Sequence, residues 1–417
     1  VLAEVPSVVG TYTPVFTGSQ RDFRTKNKLN IKLILSSKKA SFMSSALEKL
    51  KVIEMAGIGP CPLAGQLLAD LGAEVIVIDR ASTPADPTDI NRRHKRSIAL
   101  NLKSPAGLAA AQKLIASADV VIEGFRPGVM EKLGLGPDDC LAANPKLIYG
   151  RMTGWGQTGP LAQTAGHDLN YLSITGALHP LGAADQPPVP PLNLVADYGG
   201  GTMFLLLGIL AALYERNSSG QGQVIDAAMV DGVPAMMGLL HTWYARQWWT
   251  NQREANFLDG GAPFYRCYAT SDNKYLSVAP LEPHFFQELI EKAGLPAEHH
   301  ASQYEKNTWP ERSEQYTEIF RQKTQAEWLA TFEGSDACVA PVLDFTEVEA
   351  HPHNAARASF VRVNEVLQSA PAPRLSRTPA KAPIAPTAVG GDTEAVLSEL
   401  GYSSEQIAGM RSAGALT

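Results

Sequence analysis

Cysteine is scarce and scattered. Cys61, Cys140, Cys267 and Cys338 are the four in 417 residues, and no two form a CxxC pair. Such spacing excludes a structural zinc site and a disulfide framework, and fits a reducing compartment. Positive charge is not in excess: 36 Lys and Arg stand against 42 Asp and Glu, a formal charge of −6. Bulk electrostatics therefore give no pull toward nucleic acid or an anionic membrane. Long apolar runs are missing too. The longest, TMFLLLGILAALY at 202–214, has 13 residues; that is too short for a bilayer and reads as a buried helix. The C-terminal GALT is not a peroxisomal SKL-type signal. The dinucleotide fingerprint is incomplete as well. AGIGPCP carries Gly57 and Gly59, but Pro62 occupies the third glycine's place. Pro60 and Pro62 also remove backbone donors that a pyrophosphate would use.

What is present points to an α/β fold. Apolar residues make up 45% of the chain, enough for a sizeable core and one or two domains. From Lys51 strand and helix patterns alternate. KVIEMAG, EVIVIDR, SIALNL, ADVVIEGF and KLIYGRM read as strands, and PCPLAGQLLADLGA and SPAGLAAAQKLIASA as helices, the latter with Ser104 as N-cap. This rhythm implies a Rossmann-like parallel sheet covered by helices. Residues 199–245 read as apolar helices with SSGQGQ as the turn between them. RCYAT and KYLSVAP around SDN read as a hairpin. The expected organisation is an extension at 1–42, a large Rossmann-like domain at 43–255, a smaller α+β domain at 256–342, and a C-terminal segment at 343–417. The first of these is basic, with seven Lys and Arg against Glu4 and Asp22. It reads as a non-native or upstream extension, a mitochondrial presequence or an ordered arm.

Among nine histidines, one has a distinctive setting. His167, in GHDLNY at 166–171, follows the loop GWGQTGP and precedes the helix-like run LNYLSITGALH. A helix starting near Asp168 would aim free N–H groups and a positive dipole end at this point, a place for an oxyanion. Asp168 reads alternatively as a plain N-cap. Asp197 precedes three glycines in NLVADYGGGT; it reads as a capping residue or as a group that a backbone or ligand approaches closely. Glu282 in LEPHFF reads locally as a helix N-terminal carboxylate. Segment NRRHKRS with the following IALNLK concentrates Arg92, Arg93, Lys95, Arg96 and Lys103, either a solvated loop or a patch for an anionic ligand. Arg80 closes a strand at the expected carboxyl edge of the sheet, where α/β folds bind ligands.

Taken together, KVIEMAGIGPCP, EVIVIDR, KRSIALNLK, VIEGFRPGVMEKLGLGP, LIYGRMTGWGQTGP, AGHDLNY, PPLNLVADYGGG, GQGQVIDAAMVDG, LDGGAPFY and LEPHFF run in order from about Met43 to Leu416. The chain resembles the alpha-methylacyl-CoA racemases of the family III CoA-transferase (CaiB-like) superfamily. The resemblance implies interconversion of (2R)- and (2S)-2-methylacyl-CoA thioesters through an enolate. His167 and Asp197 would be bases on opposite faces of the α-carbon. Glu282 would orient the imidazole, and the Asp168 N–H would hold the thioester oxygen. CoA would be bound by Arg80, by Leu100, Asn101, Leu102 and Lys103, by Gly166, Leu169, Asn170 and Tyr171, and by Arg126. Arg93 and Arg96 are further bets on its phosphates.

The resemblance also implies interlocked homodimers, with an active site between the large domain of one chain and the small domain of the other. No cofactor or metal is expected, since CoA is part of the substrate. Branched fatty acyl, bile-acid and 2-arylpropionyl chains are all compatible. A cytoplasmic or mitochondrial location is expected, with a peroxisomal one open through a signal other than a C-terminal SKL. The rival reading is a CoA-transferase with Asp168 as the nucleophile. A non-enzymatic acyl-CoA binder is the third class, one that could dispense with Asp197 and Glu282.

Overall fold

The computed structural model describes residues 45–80 and 86–416; segment 1–42, with its competing readings, lies outside them. Six short runs rich in valine and isoleucine pair in parallel. They are β1 (Lys51–Met55), β2 (Glu74–Asp79), β3 (Lys95–Ala99), β4 (Val120–Glu123), β5 (Ile148–Thr153) and β6 (Gln223–Ala228), in the order β3-β2-β1-β4-β5-β6. Side-chain alternation splits the core into two layers. Val52, Val75, Val120 and Ile122 point to one face, under helices Pro60–Asp70 and Met203–Ser219. Ile53, Ile76, Val121 and Tyr149 point to the other, under helix Pro105–Ala116 and the C-terminal helices Thr393–Glu399 and Ser404–Ser412. Burial on both faces explains why these strands read as near-continuous apolar runs.

A second sheet is antiparallel: β7 (Arg266–Ala269), β8 (Tyr275–Val278) and β9 (Val339–Val342). The expected hairpin is there, with Asn273 at φ +59 in its turn. Helices Pro283–Ala293, Trp309–Phe320 and Gln325–Phe332 cover it through Phe264, Tyr268, Phe286, Trp309, Phe320 and Trp328.

Several local readings need correction. QVIDAA is not part of a helical pair but edge strand β6, beside β5. Its outer residues are exposed, so its burial carries little alternation to read. Gly222 lets it dock, since a Cβ there would stand 1.9 Å from Leu147 O. Ser104 sits at the N-cap of helix Pro105–Ala116 without a side-chain cap bond. The apolar 202–214 run is only half buried. Leu205 and Ile209 press on Gly150 of β5, whereas Leu207, Leu210 and Tyr214 are exposed. The continuous helical stretch Leu194–Ser219 is, by length and composition, long and apolar enough to cross a membrane.

The basic run at 92–96 is corrected most. Arg93 is 1% exposed; it forms a two-pronged pair with Asp70 at 3.0 and 2.6 Å and donates to Gln368 Oε1 and Ser369 O. Arg92 pairs with Asp79, and Lys95 with buried Glu54 at 2.6 Å. Arg96 is clamped by Glu74 and Glu399. These cations are consumed inside the fold, so Arg93 is not a phosphate ligand, and Arg96 has its charge already matched.

Their partners explain the pattern. β3 is a sheet edge with open backbone groups, and edges must be covered. The C-terminal segment covers it. A hairpin, β10 (Phe360–Val363) and β11 (Val366–Ser369), turns through Asn364 and Glu365, both at positive φ. Beyond it, Thr387 Oγ1 donates to Lys95 O, Asp392 Oδ2 accepts from Ser97 N, and Thr393 Oγ1 accepts from Ala99 N. Finally Leu416 bridges to Leu100. Breaking a buried pair strands the remaining charge. Arg93→Met is therefore expected to destabilise the protein by about 3–5 kcal/mol in urea unfolding. A loss below about 1 kcal/mol would contradict the role assigned to this pair.

Candidate active site

Strand order reverses between β1 and β4. Open α/β sheets leave a crevice at such a point, beyond the carboxyl ends of the strands. β1 runs out into AGIG at 56–59, where Gly59 has φ +70. A Cβ on Gly59 would lie 3.5 Å from Asp197 Oδ2. The Asp197 carboxylate thus stands directly over the turn that leaves β1.

Asp197 is presented by a widened turn, the π-helix Leu194–Thr202, which runs into helix Met203–Ser219. It caps neither helix. The glycines after it serve packing: a Cβ on Gly232 would lie 1.9 Å from Gly200 O, and one on Gly200 2.8 Å from Val233 Cγ2. The backbone that approaches closely is therefore the helix Met229–Met236. Thr202 Oγ1 ties the same turn to Pro60 O at 2.9 Å.

His167 is the N-cap of helix Asp168–Thr175, in extended backbone. Its N–H donates to Asn170 Oδ1 at 3.1 Å, and its carbonyl accepts from Asn170 N at 2.8 Å. This fixes the backbone and leaves the residue exposed. Behind it, the Tyr171 hydroxyl donates to Gly166 O, and its ring meets Trp155 edge-on at 4.8 Å. A Cβ on Gly154 would stand 2.0 Å from the Tyr171 ring, and one on Gly166 2.7 Å. Glycine at both positions makes room for that ring. Tyr171 is itself buried, a support for the loop more than an open contact surface.

Asp168 does something neither local reading anticipates. It is 5% exposed, and its Oδ2 accepts from Ala196 N and Asp197 N, each at 2.8 Å. It caps not its own helix but the turn that carries Asp197. Its Oδ1 is buried without a partner among the described residues. The resulting triplet is His167, Asp168 and Asp197. Burial raises the Asp197 carboxyl above its ordinary value, and the Asp168 charge adds to this; His167 and the Asn193 side chain act the other way. Burial and then the Asp197 charge raise the Tyr171 phenol.

The other candidate residues are distributed. Arg80, Lys103 and Arg126 are exposed just beyond the carboxyl ends of β2, β3 and β4. Leu100 is in the core, and Asn101 donates to Gly414 O, so both are committed to the C-terminal strap. Leu102 is partly buried against the same layer, while Leu169 and Asn170 are exposed. Glu282 occupies the N-cap position of helix Pro283–Ala293, but its side chain makes no cap bond. It lies with the second sheet, where its charge raises Tyr304 and Cys338 after burial. Among the described residues no hydrogen bond or ion pair joins it to His167.

Two residues beside the site escaped the sequence reading. Ile58, between Gly57 and Gly59, is 83% exposed at the mouth of the crevice. An isoleucine flanked by glycines was its signal. Asn193, which acts on Asp197, carried no signal of its own.

The fold and this site define a class. Residues 47–393 match the model of CoA-transferase family III, and the chain belongs to that family. It is 46% identical to alpha-methylacyl-CoA racemase of Mus musculus over 367 residues, covering 87% of this chain and 95% of the relative. To alpha-methylacyl-CoA racemase of Homo sapiens it is 42% identical over 370 residues, with coverage of 87% and 95%. A CAIB/BAIF family protein from Brucella suis superposes with a TM-score of 0.73 at 26% identity, covering 86% of this chain and all of that one.

A carboxyl raised by burial opposes folding once it ionises. Its contribution is present below the unfolded carboxylate range and is lost as pH rises through the raised folded value. Asp197→Asn is therefore expected to raise the urea midpoint at neutral pH, with the gain vanishing toward pH 3. A midpoint that is unchanged or lower at neutral pH would contradict the environment described for Asp197.

Proposed function

We propose that the protein is a racemase of 2-methylacyl-CoA thioesters, with His167 and Asp197 as its two bases. One observation carries this reading. The Asp168 carboxylate, on the residue after His167, is occupied by hydrogen bonds from the Ala196 and Asp197 N–H groups, which brings the segments of His167 and Asp197 together at the switch point. The likeness to two alpha-methylacyl-CoA racemases at 46% and 42% identity supports it.

The chemistry follows from the groups. One base removes the α-proton, and the C–H electron pair moves into the thioester carbonyl to give an enolate. The other base returns a proton to the opposite face, and the pair has exchanged one proton overall. Histidine suits this because its ordinary pKa lies near neutrality, and a carboxyl raised by burial moves toward the same range. The first N–H groups of helix Asp168–Thr175 have no intrahelical acceptor, so the Asp168 N–H is the proposed donor to the enolate oxygen. Arg80, Lys103 and Arg126, at the carboxyl edge of neighbouring strands, are the proposed contacts for the CoA phosphates.

Glu282 is the proposed orienting carboxylate, supplied to His167 by a second copy of the chain. Two observations support that arrangement. The Glu282 side chain is not used by its own helix. The Leu207, Leu210 and Tyr214 face is apolar and uncovered, as a surface that pairs with another copy would be.

A single epimer of a 2-methylacyl-CoA, incubated with the protein in heavy water and followed by NMR, is expected to lose chirality with deuterium at the α-carbon. Without exchange, CoA passing to an added carboxylic acid would make the protein a transferase. His167→Ala and Asp197→Ala are each expected to lower racemisation by about 100-fold or more, with CoA affinity changed by no more than about threefold. Full activity in either variant would refute the two-base assignment.

A further inference from the structure

We propose that the Asp168 carboxylate is the positioning residue of this site: it locks the turn bearing Asp197 to the helix start bearing His167 and sets its own carboxylate beside Asp197. The inference rests on the two-base reading above and gives a role to a side chain that reading leaves idle.

The geometry is specific. Asp168 is the first residue of its helix, one peptide from His167. Its Oδ2 accepts from the N–H of Asp197 itself and from that of Ala196, both at 2.8 Å. One oxygen therefore joins two segments 28 and 29 residues apart in sequence. Two-base inversion needs its acid and base held across a single carbon, and positioning errors of about 1 Å cost about 100-fold in rate. A single oxygen that accepts from the backbone of Asp197 and belongs to the residue after His167 ties both segments together and holds that separation.

The same arrangement argues against attack by Asp168 on a thioester. A nucleophilic carboxylate needs an oxygen that can reach the carbonyl carbon. Oδ2 already accepts two hydrogen bonds, and Oδ1 is buried. The Asp168 carboxylate lies beside Asp197, and its charge is felt there.

The surroundings of Asp197 make that charge matter. Its charged and titratable neighbours are Asp168 and His167 from helix Asp168–Thr175 and its cap, together with Tyr171 of the same helix. Helix Pro60–Asp70 brings buried Cys61 to this end of the sheet, and helix Met229–Met236 brings exposed Asp231. Of the groups that act on the Asp197 carboxyl, Asp168 is the largest after burial itself, and it acts upward. The effect is to bring the proton affinity of Asp197 closer to that of an imidazole.

Asp168→Asn keeps an oxygen for the two backbone donors and removes the charge; Asp168→Ala removes both. Rates with both epimers, across pH, separate the roles. Asp168→Asn is expected to lower kcat about tenfold with KM changed by no more than about threefold. Its acid limb of kcat/KM should move to lower pH by up to about one unit, because a like charge has gone. Asp168→Ala should lose about 100-fold in kcat.

A wild-type pH profile and kcat in Asp168→Asn would overturn the proposal while leaving the racemase reading intact. Failure of the wild-type protein to exchange the α-proton would overturn both. An aspartyl hydroxamate at Asp168, formed when hydroxylamine displaces CoA or the acid from an activated side chain during turnover, would overturn the proposal in favour of transfer. If Asp168→Ala does not fold, Asp168→Asn alone decides.

Discussion

The site is organised around one carboxylate oxygen. Asp168 Oδ2 accepts the Ala196 and Asp197 N–H groups, and this pair of bonds sets the register of two elements that also share a core through Leu172, Ala196 and Val233. Helix Asp168–Thr175 has a weak apolar pattern and an exposed N-cap. The π-helix Leu194–Thr202 is a rare local shape that its surroundings hold in place. Those surroundings are the Gly200–Gly232 contact on one side and the Thr202 to Pro60 bond on another. The glycines, the tyrosine slot and the hydroxyl all serve to hold the segments of His167 and Asp197 near the end of β1.

The rest of the fold supplies a rigid platform and a charged rim. Parallel strands with both faces covered put their carboxyl ends in one crevice, and exposed cations follow β2, β3 and β4 there. At the opposite end of β3 the cations have another use. Arg92, Arg93, Lys95 and Arg96 form internal ion pairs while the C-terminal strap runs along the same edge. A buried pair such as Arg93–Asp70 adds little net stability compared with an apolar pair of the same shape, but it is intolerant of losing one member. The strap is therefore held by contacts that specify its path along β3.

Much of this was legible in the sequence because the signals were local. Near-continuous Val and Ile in KVIEM and EVIVID marked covered strands, and SDN marked the hairpin turn. The motifs around His167 and Asp197 resembled a family, and the chain proved to belong to CoA-transferase family III. What stayed hidden depended on partners distant in sequence. NRRHKRS looks alike whether its cations face solvent or meet Asp70, Glu54 and Glu399, since nothing local distinguishes a free arginine from a paired one. QVIDAA was lost to helix because an edge strand with an exposed outer half lacks the apolar run of its neighbours. Asp168 looked like a cap for its own helix, and only the fold reveals that it caps another, 28 residues on.

The central claim is that His167 and Asp197 serve opposite faces of one carbon. Exchange without inversion tests it most directly. His167→Ala and Asp197→Ala, each given both epimers in heavy water, would be followed by NMR for α-deuterium and by chiral analysis for inversion. The account predicts that each variant exchanges the α-proton of a single epimer with retention, and that the two variants choose opposite epimers. Exchange of the same epimer by both variants, or inversion by either at the wild-type rate, would contradict it.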